Sequence, residues 1–207
     1  MTKTGKQRER ADSLKSFKRQ HILGAARRLF EAQGMDGLNM RAIAAEAGYS
    51  LGAAYAYFRT KEEIEAELLA WIISDLTRFI RTSSAGADNP ALAGFSFFAQ
   101  YFNDRPEERK LLLSMLAGIE AATSQADKTS RKELDRRIIT LLGLLANNLH
   151  RHSAASPTRV QNETMDFFTY LLGLLMLQAG GQLSLLDQRL QEMVDRYGQQ
   201  MLLRLAQ

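Results

Sequence analysis

Arg41, Ser50, Tyr55, Tyr57 and Lys61 lie in one short stretch and carry the side-chain types that hold phosphate. A guanidinium grips two oxygens at once, an ammonium supplies a point charge, and serine and tyrosine hydroxyls each donate one hydrogen bond. The residues between them are small: Gly52, Ala53, Ala54 and Ala56. On a helix turning about 100° per residue, Ala54 and Phe58 form an inward face with Leu51 at its edge. Gly52, Ala53 and Ala56 then lie outward, flanked by Tyr55 and Tyr57. Such a low face lets a helix backbone come close to a surface while the two phenols reach phosphates on either side. Arg41 can reach a phosphate or a guanine edge. Lys61 adds a cation beside the free N–H groups of a helix start. The alternative for the tyrosines is surface packing between helices.

These residues need two short helices and a tight turn. Asn39 is a good N-cap for a helix over Met40–Ala47, Gly48-Tyr49-Ser50 reads as the turn, and Ser50 can cap Leu51–Phe58. Two helices joined by a glycine-containing turn make a helix-turn-helix, here residues 39–58, whose second helix enters the major groove in DNA-binding versions. A supporting helix is expected from about residue 16 to Gln33, with Ile22, Ala25, Ala26, Leu29 and Phe30 at helical spacing and Gly34 as the stop. Thr60 should cap a long helix beginning at Lys61, with Glu62 and Glu63 at its positive end.

The charge is unevenly placed. Residues 1–61 carry 12 Lys/Arg against 5 Asp/Glu, whereas residues 62–207 carry 15 against 18. A polyanion-binding module joined to a near-neutral domain fits this asymmetry, and so does a basic solvated tail. Lys3, Lys6, Arg8, Arg10, Lys15, Lys18 and Arg19 concentrate the charge near the start. Residues 1–16 read as a flexible basic arm that either tracks phosphates or only solubilises.

The run from Asn39 to Ile64, NMRAIAAEAGYSLGAAYAYFRTKEEI, with the preceding ARRLFEAQGMDGLNM, resembles the DNA-binding segment of TetR-type transcriptional regulators. The resemblance covers about residues 18–75. It implies a homodimer on a pseudopalindromic operator, released when a small molecule occupies the C-terminal domain. By position, Arg41, Leu51, Gly52, Ala53, Tyr55, Tyr57 and Lys61 match the family's DNA contacts. The chain departs from the family at Asn39 or Met40 and at Ala53, where threonine or serine is common, at Tyr49, where valine is, and at Ala54. Without a hydroxyl at 53, base readout rests on Arg41 and on apolar contacts of Leu51 and Ala53 with thymine methyls.

The whole chain of 207 residues reads as all-α, with about nine helices, divided into the arm, a DNA-binding domain over 17–62 and a C-terminal domain over 63–207. Zero cysteines exclude disulfides and thiolate chemistry and fit a cytoplasmic location. The polar, basic first 20 residues offer no secretory signal, and the longest apolar stretch, near Phe167–Leu177, is too short for a bilayer. No glycine-rich phosphate loop or serine elbow suggests an enzyme, and no cofactor is implied. His150 and His152, two apart on a helix, do not share a face, so no metal site is expected.

Helices near 159–179 and 184–206 are expected to form the dimer interface. In the second, Leu186, Leu190, Met193, Val194, Tyr197, Met201 and Leu205 make one stripe, and burial within a single subunit is the alternative. Phe95, Phe97, Phe98, Tyr101 and Phe102 crowd one helix, as core or as a ligand wall. A pocket there would lie among Trp71, Phe98, Tyr101, Phe102, Met115 and Tyr170, with Glu120 or Asn162 supplying polarity, and would take an apolar or aromatic small molecule. A regulator controlled by a protein partner, with no small molecule, is the competing function.

Overall fold

The computed structural model describes residues 3–117 and 125–207. Among them are ten α-helices and no strands: α1 (Lys3–Gly37), α2 (Met40–Glu46), α3 (Leu51–Tyr55), α4 (Lys61–Ser83), α5 (Pro90–Asp104), α6 (Pro106–Ala117), α7 (Gln125–Arg151), α8 (Pro157–Ala179), α9 (Gln182–Leu185) and α10 (Leu190–Leu205). A single 3-10 turn, Ser84–Gly86, follows α4. The chain divides into two compact units, one of Met1–Leu68 with Gly118–Leu134, the other of Leu69–Ala117 with Asp135–Gln207.

In the first unit, α1 carries the face expected of it. Ile22, Ala25, Ala26 and Phe30 are buried, as are Ile43 and Ala47 at α2, Ala54 and Phe58 at α3, and Ile64 and Leu68 on α4. Gly34 breaks α1 with φ 65°, a left-handed conformation that glycine adopts without steric cost. The start differs from expectation. Residues from Lys3 onward continue the helix, where 1–16 reads as a flexible arm from its polar, aperiodic sequence. Lys, Arg, Gln and Glu are good helix formers, so a polar segment can extend a helix nucleated further along the chain.

The second unit is built on aromatic packing. Phe95 of α5 stacks on Phe167 of α8 at 4.4 Å between ring centres, and Phe98 meets Phe102 at 5.0 Å and Phe168 at 5.4 Å. All five rings are buried. Ser156 caps α8, with Pro157 at its first position where no N–H is needed. The expected last helix is two: α9 ends at Leu185 and α10 starts at Leu190. Asp187 between them sits at φ 52°, a conformation that no helix accommodates. The stripe proposed for dimerisation is mostly used within the subunit. Leu190, Val194, Met201 and Leu205 are buried, with α10 packed on α5 and α8, while Leu186 is 64% exposed.

Candidate nucleic-acid interface

The helix-turn-helix is fixed at each joint by a hydrogen bond legible in the sequence. Asn39 Oδ1 accepts from the Ala42 N–H at 2.9 Å, and Ser50 Oγ accepts from the Ala53 N–H at 3.2 Å. Each cap is worth about 1 kcal/mol, a large share for helices of seven and five residues. Gly48 takes φ 69° in the turn, where a side chain would be strained. The Tyr49 N–H closes the turn on the Ala44 carbonyl at 2.8 Å. Because Ser50 Oγ is used as an acceptor, its hydroxyl proton remains to donate outward.

The outward face has the expected small residues: Gly52 and Ala56 are exposed, Leu51 and Ala53 half-buried, and Ala54 fully buried. Tyr55 is exposed and Tyr57 half-buried. The helix is shorter than expected, ending at Tyr55. Ala56 and Tyr57 continue as a turn, with the Tyr57 and Phe58 N–H groups both donating to the Ala54 carbonyl at 3.0 Å. Tyr57 is therefore placed by the turn rather than by the helix itself.

Arg41 is exposed on α2. Lys61 is committed: its Nζ lies 2.8 Å from Glu65 Oε1, whose side chain is 7% exposed. A phosphate must compete with that carboxylate, a modest contest for a partly exposed pair worth about 1 kcal/mol. The start of α4 is capped from within the chain, and Glu62 and Glu63 lie in its first turn. Thr60 Oγ1 accepts from the Glu63 N–H at 3.2 Å, and Glu63 Oε2 accepts from the Arg59 N–H at 2.9 Å, close to a reciprocal capping box.

Other partners carry no short-range signal. Arg19 of α1 makes two hydrogen bonds to the Glu67 carboxylate on α4, that from Nη1 to Oε2 being 2.6 Å, and its guanidinium lies 4.3 Å from the Phe58 ring centre. Ser130 Oγ of α7 also reaches Glu67 at 3.3 Å. Arg28 Nε pairs with Glu46 at 2.7 Å, joining α1 to α2. These links set the angle at which α2 and α3 are presented. The T-x-x-E of the α4 cap was visible at residues 60–63; Arg19 and Glu67 lie 48 positions apart, and no local pattern pairs them.

The residues named for a ligand site differ in their exposure. Phe98, Phe102 and Met115 are buried, Trp71 and Tyr170 half-buried, and Asn162 exposed; Glu120 lies outside the described residues. Tyr101 lines an open pocket of about 390 Å³ with Asp75, Phe79, Phe97 and Arg105. Its hydroxyl is pushed well above the usual tyrosine range, first by burial and then by its hydrogen bond to Glu108. Tyr170 stacks instead on Tyr197 of α10 at 4.3 Å. His150 and His152 are both exposed at the end of α7.

Comparison with known proteins agrees with this geometry. The family model of bacterial regulatory proteins, tetR family, matches residues 22–68. The HTH-type transcriptional regulator AcrR of Shigella flexneri is 40% identical over 57 residues, which span 28% of this chain and 26% of that protein. Among solved structures, a TetR transcriptional regulator from Rhodococcus sp. RHA1 superposes with a TM-score of 0.67 at 15% identity, over 92% of this chain and 99% of that one. FadR of Thermus thermophilus, a TetR-family transcriptional repressor solved with lauroyl-CoA, gives 0.60 at 18% identity, over 89% and 93%. These two share its fold. Residues 22–68, with the helix-turn-helix, thus match the model of bacterial regulatory proteins of the tetR family, and the chain spans about a quarter of the length of the curated relative it matches.

Proposed function

We propose that the protein is a homodimeric, cytoplasmic transcriptional repressor that binds a pseudopalindromic operator and is released by a small ligand of apolar or aromatic character. The observation that carries this reading is the face of α3. Gly52, Ala53 and Ala56 form a low surface between the Tyr55 and Tyr57 phenols, within residues 1–61, which hold the excess of positive charge. Shape and phosphate contacts then position the module, and Arg41 and Leu51 read base edges.

Two copies would pair through α8 and α10. Met165, Met176 and Leu177 on α8 and Leu203 on α10 are at least 40% exposed, although the larger stripe of α10 is spent on its own core. Pairing these faces would set two α3 helices for successive half-sites. The Thermus thermophilus relative was solved with lauroyl-CoA, an amphiphile with a long apolar chain, and that supports an apolar effector here. A regulator governed by a protein partner is the second reading, favoured by the ring contacts among five buried phenylalanines.

Selection of bound sequences from random duplex DNA, repeated with metabolite mixtures, tests the reading. An enriched palindrome is expected, and its absence would sink the repressor. A metabolite that empties the operator names the effector class. Release by a protein fraction alone favours the partner reading.

A further inference from the structure

On the second unit, one face of α5 floors two open pockets that meet. Phe97, Gln100, Tyr101 and Asp104 follow the i, i+3, i+4, i+7 spacing that puts side chains on one face of a helix. The first pocket, of about 390 Å³, is aromatic, with Phe79 of α4 joining Phe97 and Tyr101 in its wall. The second, of about 440 Å³, is polar and is lined by Asn103, Gln178, Gln188 and Gln191. Gln100 and Asp104 line both.

From this junction we propose that the two pockets form one binding site for an uncharged molecule made of an aromatic ring joined to a sugar, a nucleoside or a phenolic glycoside. The ring end follows from the aromatic wall. Phe79 and Phe97 stand 5.3 Å apart at 62°, so a planar ring that stacks on one meets the edge of the other, the two arrangements that aromatic pairs prefer. Phe79 is 49% exposed, a large ring surface left to water. The Arg105 guanidinium lies 4.2 Å from the Tyr101 ring centre and takes one of its faces, which leaves stacking to the phenylalanines. The sugar end follows from the amides and Asp104. Among the described residues the Gln100 and Gln178 side chains make no hydrogen bond, and each offers a donor and an acceptor, as a sugar hydroxyl does. Gln188 and Gln191 donate through Nε2, to the Leu186 carbonyl and to Ser96 Oγ, and keep Oε1 as an acceptor. Asp104 accepts from Asn103 Nδ2 at 3.1 Å, and its carboxylate has lone pairs left for neighbouring hydroxyls. The other charged side chains of the two linings have partners: Asp75 has Arg78, Arg105 has Glu108 and Arg189 has Glu192. The ligand therefore needs no charge of its own. Gln100 and Asp104 are about 6 Å apart along the helix axis, the scale of a ring and a sugar joined through one bond.

The site is tested on the full chain without DNA, so the outcome is independent of the regulator reading. Adenosine and phenyl β-glucoside are titrated by calorimetry, beside adenine, phenol, ribose and glucose. At least one of the two glycosides should bind saturably at one site, about tenfold or more tighter than its own ring or sugar alone, since each half then adds its contacts. Which of the two binds separates a nucleoside from a phenolic glycoside. Asp104→Asn should weaken that glycoside about tenfold, the worth of a hydrogen bond to a charged acceptor, and Phe79→Leu about threefold or more through the lost stacking. Both substitutions are at exposed positions, and unchanged helical circular dichroism verifies the fold. A glycoside that binds no tighter than its ring or its sugar overturns the joined site, as does heat that never saturates with either. Affinity unchanged in either variant overturns it too, because the ligand then uses only one pocket or lies elsewhere.

Discussion

At the scale of single residues, the proposed function would have Arg41 and Tyr57 divide the work of recognition in a measurable way. Arg41 is exposed on α2; a guanidinium paired with a guanine edge is worth about 1–3 kcal/mol of discrimination. Arg41→Ala should weaken the selected operator about tenfold or more and relax preference at one position per half-site, as read by competition binding against single-base variants. Tyr57→Phe should weaken all sequences alike, because a phosphate contact carries no base information. A sequence-selective loss in Tyr57→Phe would move that phenol from the backbone to a base. Tyr101 gives a residue-scale test in the other unit. Its hydroxyl titrates higher folded than in the unfolded chain, where it ionises near pH 10. Its contribution to stability is therefore complete below about pH 10 and is lost as pH rises above that. Denaturation of the native chain and Tyr101→Phe across that range should give a stability difference that is flat at neutral pH and shifts against the native chain in alkali. A difference flat throughout would mean that Tyr101 is solvated like a free phenol.

Among the elements, the joint between α1 and α4 is held by Arg19 and Glu67, with Phe58 under the guanidinium. The side chains are 34% and 16% exposed, so solvent screens the pair only in part. A double-mutant cycle of Arg19→Gln and Glu67→Gln should give a coupling of about 1 kcal/mol by chemical denaturation; strict additivity would dismiss the joint. Glycines in the second unit separate two kinds of helix position. A Cβ on Gly94 would come within 2.5 Å of Leu145 and 3.2 Å of Ile80, whereas Gly143 has nothing within 4 Å. Gly94→Ala should cost about 1–3 kcal/mol through overpacking, and Gly143→Ala should gain about 0.5–1 kcal/mol from helix propensity. Equal effects in a denaturation series would refute the close approach of α5 and α7. These elements also mark what the sequence makes legible. Caps at Asn39, Ser50 and Thr60 and the faces of α1 to α4 follow local rules, and the structure has them. The end of α3 at Tyr55, the split before α10 and the pairing of Arg19 with Glu67 depend on residues distant in sequence, so spacing alone does not reveal them. The aromatic positions of α5 show that the helix is buried, but which rings stack on each other and which line a pocket is decided by α8 and α10.

For the whole molecule, the positive excess in residues 1–61 matters because two subunits would bring it twice to one duplex. The first part of that charge is on a helix. Arg8, Lys15 and Lys18 recur at intervals of seven and three, which gathers them on one face of α1, and Arg8 and Lys15 are exposed. A helix already formed forgoes the ordering cost of about 1–2 kcal/mol per residue that a flexible arm would meet on binding. Its cations keep a fixed spacing of about 1.5 Å per residue, so they reach phosphates together or not at all. Deleting residues 1–15 tests this through salt dependence. Each lost phosphate contact lowers the slope of log affinity against log salt by about 0.9, and in a dimer contacts vanish in pairs. A slope shallower by about two or more, with the preferred operator unchanged, would show that this stretch of α1 holds the DNA backbone. An unchanged slope would make it a solvated extension and leave the ionic grip to Arg41 and Lys61.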